Sequence, residues 1–593
     1  MRELEYPFDS EFIRKKRIKL RKQLLADESV KFIEKRIAIL GGSTTSEIKN
    51  MIELFLLNNG IKPSFYESEY NKFYEDGMFD NPELVEFDPE IIYIHTSNRN
   101  ITDWPTVADG EDTVKALLDA QLGKFVGLWE HLFEKYHCPI IQNNFEMPFY
   151  RLLGNQDAVM LQGRSRFVNL MNEGIYDYAR SHENFFIHDI NYESATYGLA
   201  EWSNPLYWHM YKYAVAVPAI PYTAYGVATI IKSFLGKNKK VLALDLDNTL
   251  WGGVIGDDGV ENIEIGQETS LGQTYSEFQN YVKEQKQIGT LLTVITKNND
   301  DVARTGFERP DSVLKIDDFV SFKANWDPKD RNLVEEANEL NLLPESFVFV
   351  DDNPAEREII RQSIPGVAVP EIGNVEEYIQ TIDRAGYFEV TKLSADDMKR
   401  NEMYAANAKR NIAQASFTDY GEYLKSLEMI GTIKPFEDIY MSRIAQLSNK
   451  SNQFNLTTHR YTQAEIEEIA ASGNHITLYG KLEDKFGDNG VVSVVIGEVK
   501  SDELHMDLWL MSCRVLKRDM EFAMMDELVS ACKAHGITKI FGYYYPTAKN
   551  AMVKDFYGIQ GFEKIAEDQE GNTTWQFNIP QAYENKNKAI KVN

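Results

Sequence analysis

The sequence predicts an α/β protein built from three domains. Apolar, strand-like runs alternate with helical patterns along most of the chain, which is typical of parallel sheets covered by helices. A polar, basic stretch at residues 236–240 interrupts this alternation and separates two such regions. A length of 593 residues is enough for about three or four domains.

The N-terminal region is predicted to be a helical segment followed by a parallel-sheet domain. Residues 1–30 are rich in Lys, Arg and Leu and have a helical pattern, and the domain follows at 31–234. Its first αβ unit has a buried strand at 36–40, a Gly-Gly-Ser turn at 41–43 and an amphipathic helix at 47–58. Further strands are predicted at 91–94, 139–142 and 185–190.

The rest of the chain is predicted to hold two more domains. The second is expected at residues 235–390 and begins with the buried strand 241–244. A charged segment with a helical pattern at 391–429 leads into a third αβ domain at 430–580. Residues 581–593 are polar and are predicted to form a frayed tail.

The composition predicts a soluble, cytoplasmic protein. A formal net charge of −28 argues against binding to nucleic acid or to anionic membranes, because both need clustered Lys and Arg. Cys138, Cys513 and Cys532 are too few and too scattered for a disulfide framework or a four-thiolate zinc site. The first residues have no signal-peptide pattern, and no stretch approaches the roughly 20 apolar residues of a membrane span.

Two carboxylates follow the buried strand 241–244. The strand runs into the sequence DLDNTL, which places Asp245 and Asp247 at its carboxyl end, where α/β sheets bind ligands. Asp245 is predicted to attack phosphorus and to bind a metal ion. Asp247 is predicted to protonate the leaving group, to activate water afterwards and to contribute to the metal site. Hard oxygen ligands with room for water and phosphate predict Mg²⁺ as the ion.

A second strand, at 291–295, ends in polar residues that suit a phosphate. Thr296 is predicted to hydrogen-bond a phosphoryl oxygen during catalysis. Lys297 and Asn298 follow it and are predicted to contact the substrate, with a solvated loop as the alternative for Lys297.

A third strand, at 347–350, ends in the acidic pair Asp351 and Asp352, which adds metal ligands. Asp352 is favoured over Asp351, since other families with this motif use the second residue of the pair. Lys329 lies upstream and is predicted to neutralise the aspartyl-phosphate charge in the transition state.

The spacing of these motifs predicts an open site. Asp245 and Thr296 are 51 positions apart, and Thr296 and Asp351 are 55 apart. Each interval holds one or two αβ units and leaves no room for a large inserted cap domain. An open site suits bulky or tethered phosphoryl substrates, or it needs another domain as a lid.

The ordered motifs resemble those of the haloacid-dehalogenase (HAD) superfamily, and within it the FkbH-like family of HAD subfamily IIIC. The resemblance extends from about residue 31 to residue 577. The segments that carry it are DLDNTLWGGVIGDDG at 245–259, FKANW at 322–326, VDDNPAER at 350–357, NKSNQFNLT at 449–457, FGDNG at 486–490, MSCRV at 511–515 and PTAKN at 546–550.

The resemblance implies an SGNH-hydrolase-like, flavodoxin-like N-terminal domain, a capless HAD core with a Rossmann-like sheet, and a GNAT acyltransferase-like α+β domain. Family members transfer the glyceryl unit of 1,3-bisphosphoglycerate to the phosphopantetheine thiol of an acyl carrier protein, with loss of phosphate. We therefore expect a Mg²⁺-dependent HAD phosphatase with acyltransferase activity, whose partners are a phosphorylated three-carbon acid and a carrier protein. Two alternatives stay open: a free-standing HAD phosphatase of a small phosphorylated metabolite, and an N-acetyltransferase fused to a HAD domain.

Ser43 follows two glycines at a strand end, where the nucleophile of an SGNH hydrolase would lie. Candidate partners are His209 and, as an oxyanion donor, Asn144. The usual Asp-x-x-His pattern is missing, because the residue three before His209 is Leu206. A plain turn with a hydroxyl cap is the alternative, and we expect no ester hydrolysis by this domain.

The C-terminal domain has a basic segment after its predicted strand 503–511. Lys517 and Asp519 lie where the FkbH-like pattern usually has glycines that hold the coenzyme A pyrophosphate, so binding of free coenzyme A is disfavoured. Arg514, Lys517 and Arg518 are predicted to meet the acidic surface of a carrier protein, with a solvated helix start as the alternative. Asn550 is predicted to bind substrate.

Cys513 is the only cysteine inside a family motif. Many relatives have a cysteine at the position of Ile295, so a thioester at that point is excluded in this chain. If a thiol carries the acyl group, it is predicted to be Cys513. The alternative is that Cys513 is a small buried hydrophobic residue.

Overall fold

A computed structural model of the chain describes residues 1–414, 416–547 and 549–593. The chain folds into two compact units, Met1–Phe234 and Leu235–Asn593. In the described part of the chain, no helix combines the length and the apolar character that a membrane crossing requires.

The first unit contains one parallel sheet with helices between its strands. Its strands are β1 (Ile33–Gly41), β2 (Ile61–Glu67), β3 (Ile91–His95), β4 (Ile140–Asn143) and β5 (Phe185–His188). Its helices are α1 (Ser10–Leu25), α2 (Ser46–Asn58), α3 (Phe73–Met78), α4 (Pro82–Phe87), α5 (Glu111–Tyr136), α6 (Arg164–Ser181), α7 (Ile190–Tyr197), α8 (Leu199–Trp202), α9 (Pro205–Tyr211) and α10 (Ile220–Phe234).

The sheet of the first unit has the strand order β2-β1-β3-β4-β5, with all neighbours parallel. This is the order of flavodoxin-like folds. Residues 37–41 of β1 are buried on both faces of the sheet. Ala38 and Leu40 pack with Trp129 of α5 and Phe167 of α6. Strand β2 was not predicted; it contains Pro63, which is tolerated because β2 is an edge strand.

The second unit contains two sheets. Its strands are β6 (Val241–Leu244), β7 (Leu291–Thr296), β8 (Ser321–Ala324), β9 (Phe347–Val350), β10 (Ile430–Lys434), β11 (His475–Asp484), β12 (Gly487–Lys500), β13 (Glu503–Met511), β14 (Lys539–Tyr544), β15 (Glu563–Glu567), β16 (Thr573–Asn578) and β17 (Lys591–Val592). Its helices are α11 (Ile255–Asp258), α12 (Ser270–Gln287), α13 (Asp300–Glu308), α14 (Lys329–Glu339), α15 (Pro354–Ser363), α16 (Tyr378–Arg384), α17 (Ala395–Met398), α18 (Arg400–Gln414), α19 (Tyr420–Ser426), α20 (Met441–Lys450), α21 (Gln463–Ala471), α22 (Met520–Ala534) and α23 (Phe556–Ile559).

The first sheet of this unit is parallel, with the order β8-β7-β6-β9. Short elements fill the intervals between its strands: α11 and α12 lie between β6 and β7, and α13, β8 and α14 lie between β7 and β9. The sheet therefore has no inserted cap domain, as the motif spacing predicts. Strands β6 and β9 are neighbours, so the motifs that follow them meet at one edge of the sheet.

The second sheet of this unit is mixed, with the order β15-β16-β14-β13-β12-β11-β10-β17 in the described chain. Strands β13 and β14 run parallel only from Glu503 to His505 and then separate. The segment 454–457 lies between them: Leu456 N donates to Trp509 O at 3.1 Å, and Leu456 O accepts from Tyr545 N at 2.9 Å. The segment 454–457 thus supplies hydrogen-bond partners to β13 and to the residue after β14 where the two strands have separated. The α/β fold class with parallel sheets in the first two regions is confirmed.

Two segments differ from the sequence prediction. Residues 581–593 are not a frayed tail, because β17 pairs with β10 and Ile590 is buried in the core beside the mixed sheet. The charged segment 391–429 forms helices within the second unit, where Tyr404 is buried against the core of the parallel sheet. The chain thus has two compact units, and the predicted border between the second and third domains stays a prediction. Ala548 of the PTAKN motif lies outside the described residues.

Candidate active site

Four polar groups converge at the carboxyl edge of the sheet β8-β7-β6-β9. Asp245 follows β6, Thr296 ends β7, Lys329 begins α14 and the pair Asp351–Asp352 follows β9. The carboxyl ends of parallel strands lie at one edge of a sheet, so residues far apart in sequence come together there. The motifs singled out in the sequence therefore form one site.

Three carboxylates form the centre of this site. Asp245, Asp351 and Asp352 each offer one oxygen, and these oxygens all lie within 4.8 Å of one another. Asp245 is only 7% exposed, and its Oδ1 has no hydrogen-bond partner among the described residues. A buried carboxylate oxygen without a partner is costly, which fits a position reserved for a ligand or a cation.

Lys329 provides the balancing charge. Its Nζ lies 2.9 Å from Asp245 Oδ2 and 2.6 Å from Asp351 Oδ2, and the residue is 4% exposed. Burial alone would lower the pKa of Lys329, but the charges of Asp245 and Asp351 outweigh it and raise the pKa. Lys329 therefore stays protonated. Its single positive charge faces the three carboxyl groups of Asp245, Asp351 and Asp352.

The surroundings of the acidic pair after β9 disfavour the charged form of both carboxyl groups. Burial, followed by the charge of Asp245, raises the pKa of Asp351 to about 7 and also raises the pKa of Asp352. Asp351 is tied by Lys329 and by Asn353 N, which donates to its Oδ1 at 2.9 Å. The carboxylate of Asp352 is part-exposed and is the freer of the two, which agrees with the preference for Asp352 as a metal ligand.

Asp247 lies outside the group of three carboxylates. Trp251 Nε1 and Ile255 N donate to its Oδ1 at 2.9 and 3.0 Å, and Asn298 Nδ2 donates to its Oδ2 at 2.9 Å. Burial raises the pKa of Asp247. The Asp247 carboxylate, predicted as a metal ligand, is thus not one of the three clustered carboxylates, and these donors occupy its two oxygens. The geometry keeps it suited to proton transfer.

The loop after β7 has a supporting role. Thr296 is buried. Lys297 Nζ lies 2.5 Å from Glu356 Oε1, so its charge is paired at the edge of the site. The side chain of Asn298, predicted to bind substrate, holds Asp247 instead.

Two residues without a predicted role position the loop after β9. Arg357 Nη1 donates to the backbone oxygens of Asp351 and Asp352 at 2.7 and 2.8 Å. Thr249 is fully buried, and its Oγ1 accepts from Asp352 N at 3.2 Å. Both lie inside the motifs DLDNTL and VDDNPAER, but only the folded loops show what they touch.

The structure does not assemble a triad around Ser43 of the first unit. Ser43 is 2% exposed, and its Oγ has no hydrogen-bond partner in the described chain. His209 lies exposed on α9. The Asn144 amide donates to Tyr176 and Asp189 at 2.8 and 2.6 Å, which uses both of its hydrogens. The expectation of no esterase activity stays a prediction that this geometry supports.

Most of the predicted binding residues near the mixed sheet form hydrogen bonds or ion pairs with other groups of the protein. Arg518 donates to Asp484 at 3.2 Å and to Asn407 at 2.6 Å, and it is 7% exposed. Asn550 is fully buried and donates to the backbone oxygens of residues 455 and 545, each at 2.9 Å. Lys517 is exposed with a φ of 64°, the left-handed conformation that favours glycine. The structure does not bring these three side chains into one binding site.

Cys513 and Arg514 lie at the junction between the two sheets of the second unit, where Arg518 Nη2 donates to the backbone oxygen of Arg514 at 2.7 Å. Cys513 is part-buried, with its Sγ 3.7 Å from the hydroxyl of Tyr404. Arg514 is 8% exposed. Both line a cavity that is separate from Asp245.

Comparison with known proteins decides the family. Residues 36–232 match the family described as FkbH, N-terminal domain. The chain is also similar to a solved structure, the N-terminal part of a Bacteroides fragilis protein that contains a phosphatase domain and was complexed with Mg. The two are 30% identical, the match covers 63% of this chain and 99% of that chain, and the TM-score is 0.59. The chain belongs to the FkbH-like family.

Two acetyltransferase structures are similar to a shorter stretch of this FkbH-like chain. An N-acetyltransferase from Escherichia coli is 14% identical over 27% of this chain and 100% of its own length, with a TM-score of 0.21. A GNAT-family acetyltransferase from Streptococcus pneumoniae is 13% identical over 26% of this chain and 100% of its own, also with a TM-score of 0.21. No curated protein matches the FkbH-like chain.

Proposed function

We propose that this FkbH-like chain is a Mg²⁺-dependent phosphatase and acyl-loading enzyme. It would take a phosphorylated three-carbon acid such as 1,3-bisphosphoglycerate, remove phosphate and transfer the glyceryl unit to an acyl carrier protein. The observation that carries the phosphatase part is the cluster of Asp245, Asp351 and Asp352 around Lys329.

The residues fit a magnesium ion. Asp245 and Asp352 would hold it, with Asp351 close by, because all three are hard oxygen donors and one Asp245 oxygen has no partner in the described chain. A cation there would relieve the repulsion that raises the pKa of Asp351 and Asp352 after burial. When bound, Mg²⁺ polarises a phosphoryl oxygen and offsets its negative charge. The similar Bacteroides fragilis structure, complexed with Mg, supports this choice of ion.

The protein groups can carry the phosphoryl transfer in two steps. Asp245 attacks phosphorus, so an O–P bond forms while the bond to the leaving oxygen breaks, and Asp247 gives that oxygen a proton. Water then attacks the aspartyl-phosphate, Asp247 takes its proton, and phosphate leaves. Oδ2 of Asp247 accepts one hydrogen bond, from Asn298, and keeps a lone pair for this proton. The raised pKa of Asp247, caused by burial, favours the protonated form needed first.

The loading step needs a thiol and an acyl phosphate. A thiolate attacks the acyl carbon, a C–S bond forms, the C–O bond to phosphate breaks, and phosphate leaves with the bonding electrons. An acyl phosphate is already activated, so this step requires positioning more than further activation. The thiol would belong to the phosphopantetheine arm or, before it, to Cys513. The open edge of the parallel sheet, without a cap, supports a tethered substrate.

Loading and phosphate removal can be tested together. The protein is mixed with Mg²⁺, 1,3-bisphosphoglycerate and holo-carrier proteins from the same genome, and intact-protein mass and phosphate release are followed in parallel. We expect a carrier to gain a glyceryl unit. In Asp245→Asn we expect the carrier to stop at the phosphoglyceryl stage and phosphate-ester hydrolysis to fall by more than about 10³-fold. Asp317→Asn, an exposed aspartate of the same unit, is the matched control and should behave as wild type.

The possible outcomes separate the alternatives. Unchanged ester hydrolysis in Asp245→Asn contradicts phosphoryl transfer at this site. If no carrier gains mass while phosphate is released from a free metabolite, the loading proposal is wrong and a free-standing phosphatase remains. Tight coenzyme A binding in calorimetry would instead favour the fused N-acetyltransferase. Loading that survives in Cys513→Ala excludes only a covalent role of that thiol.

A further inference from the structure

A cavity of about 100 Å³ lies where the two sheets of the second unit meet. Its wall includes Lys240, Ser346 and Cys513, together with residues of α18 and α20. Lys240 immediately precedes β6, whereas Asp245 immediately follows it. The four residues of β6 span about 13 Å, so this junction cavity is at the opposite edge of the sheet from the candidate active site.

The junction cavity has an excess of positive charge. Its lining contains more basic than acidic side chains, in a protein whose formal net charge is −28. The basic residues are Lys240, Arg400, Arg443, Lys450 and Arg514, and the acidic residues are Glu345, Asp396 and Asp397. Five basic side chains thus outnumber three carboxylates in the lining, although burial lowers the pKa of Lys450 to about 7.

Two of the carboxylates are already paired. Asp397 forms ion pairs with Arg400 and with Lys450, the latter at 3.2 Å, and it accepts a hydrogen bond from Gln446 at 2.8 Å. Glu345 lies 2.5 Å from Nζ of Lys549. Neither is available to compensate the remaining cations.

Arg514 is the cation that the protein leaves incompletely paired. It is 8% exposed, and its Nη2 has no hydrogen-bond partner in the described part of the chain. The nearest carboxylate oxygen, Oδ2 of Asp396, is 4.0 Å away and lies 3.0 Å from Arg443 Nε. Nε of Arg514 donates to Ser512 Oγ at 3.2 Å and Nη1 donates to Met403 Sδ, so Nη2 is the buried donor that a ligand could satisfy. A buried donor without a partner is unfavourable.

Lys240 and Cys513 line the same cavity. Burial lowers the pKa of Lys240. No ion pair joins Lys240 to a carboxylate within the described ranges. A bound anion would favour the charged form of Lys240, and it would lie beside the thiol.

We propose that the junction cavity is a binding site for a small oxyanion, either a phosphate group or a carboxylate, which Arg514 and Lys240 hold beside Cys513. The guanidinium of Arg514 offers planar donors that match both kinds of oxyanion. The cavity has room for such a group. The site is distinct from the proposed phosphatase site and does not depend on it.

The rate of Cys513 alkylation tests this proposal on the full-length protein. The protein is treated with iodoacetamide, and each cysteine is followed by peptide mass spectrometry, with the buried Cys138 and Cys532 as internal references. Inorganic phosphate and acetate are titrated separately, and chloride at equal ionic strength controls for screening. We expect saturable protection of Cys513, about tenfold when the anion is at about ten times its dissociation constant. Protection by phosphate alone identifies a phosphoryl group, and protection by acetate alone identifies a carboxylate.

Variants locate the protecting anion. Arg514→Gln should abolish protection, whereas Arg331→Gln, an exposed arginine 65% accessible at its side chain, should retain it. Asp245→Asn should also retain protection, because its site lies at the other edge of the sheet. If Arg514→Gln does not fold, the wild-type titration still decides. Equal alkylation rates in phosphate, acetate and chloride overturn the proposal, and so does protection that persists in folded Arg514→Gln.

Discussion

The charges around Lys329 show how single residues set the properties of the candidate active site. Its ammonium lies between Asp245 and Asp351, at 2.9 and 2.6 Å, and nearly all of it is removed from water. Two ion pairs in a buried setting keep the lysine charged, but they leave a net negative site that attracts a cation. In the proposed function, the three carboxylates would hold the metal ion and Lys329 would stabilise negative charge on a phosphoryl group.

Glu336 of α14 gives a prediction on pH and stability. It is 0% exposed, and burial raises its pKa to about 8 from an ordinary value of 4.5. Between these pH values the native protein holds a proton that the unfolded chain has released. The stabilisation of the native state by the protonated Glu336 is fully present below about pH 4.5 and is lost as pH rises through about 8. Glu336→Gln cannot lose this proton, so its unfolding free energy relative to wild type should rise by about 1–3 kcal/mol from pH 5 to pH 8.

Urea denaturation at the two pH values measures this difference. Glu335→Gln is the control, because the Glu335 side chain is 43% exposed and pairs with Arg331 on the helix surface. A difference between Glu336→Gln and wild type that does not change with pH would show that Glu336 titrates normally.

At the scale of elements, the C-terminal residues are attached to the mixed sheet by α22. Asp526, 7% exposed, accepts hydrogen bonds from Tyr583 OH, Lys586 N and Asn587 N at 2.8, 3.0 and 2.9 Å. Strand β17 then pairs with β10. These bonds explain why a polar sequence forms an ordered end.

We predict that Asp526→Asn weakens this attachment. An amide replaces one acceptor oxygen with a donor, which leaves one of the two backbone N–H groups without its partner and costs about 1–3 kcal/mol. Limited digestion with carboxypeptidase should remove the last residues faster than in wild type. The neighbouring substitution Glu527→Gln should have no such effect, and equal digestion of the two variants would contradict the proposed role of Asp526.

At the scale of the whole molecule, α18 joins the two sheets of the second unit. Tyr404 packs in the core of the parallel sheet, while Arg410 forms a bidentate ion pair with Asp484 of β11 at 2.7 and 2.8 Å. Both charged partners are nearly inaccessible to water, and breaking such a pair typically costs about 3–5 kcal/mol. The charged segment 391–429, predicted to lead from the second domain into the third, is therefore part of a shared core.

The first unit, by contrast, has a complete core of its own. Its parallel sheet is covered by its own helices, and α10 packs against α2 through apolar residues. We predict that the fragment 1–234 folds alone and unfolds cooperatively. The fragment 1–219, which lacks α10, should not, because it exposes the apolar face of α2. Circular dichroism during heating distinguishes the two, and a cooperative transition in the shorter fragment would contradict this account.

The local sequence was sufficient to predict strands and candidate site residues where a polar motif directly follows a buried strand. Apolar runs of four to six residues, each ending in Asp, Thr or an acidic pair, predicted β6, β7 and β9 and the polar residues after them. Parallel strands bring their carboxyl ends to one edge, so the meeting of Asp245, Thr296, Lys329 and Asp351 also followed from the order of motifs. The fold class was predicted from the alternation of strands and helices and the FkbH-like family from the resemblance of the motifs, and both are confirmed.

The tertiary structure decided what depends on contacts between distant segments. It showed that Asn298 donates to Asp247, that Asp526 accepts hydrogen bonds from the C-terminal residues, and that Cys513 shares a cavity with Lys240. No local pattern encodes these pairings, since each joins segments more than 50 positions apart. A sequence lists the donors and acceptors of a chain, whereas hydrogen bonds and ion pairs depend on distances of about 3 Å that only packing sets.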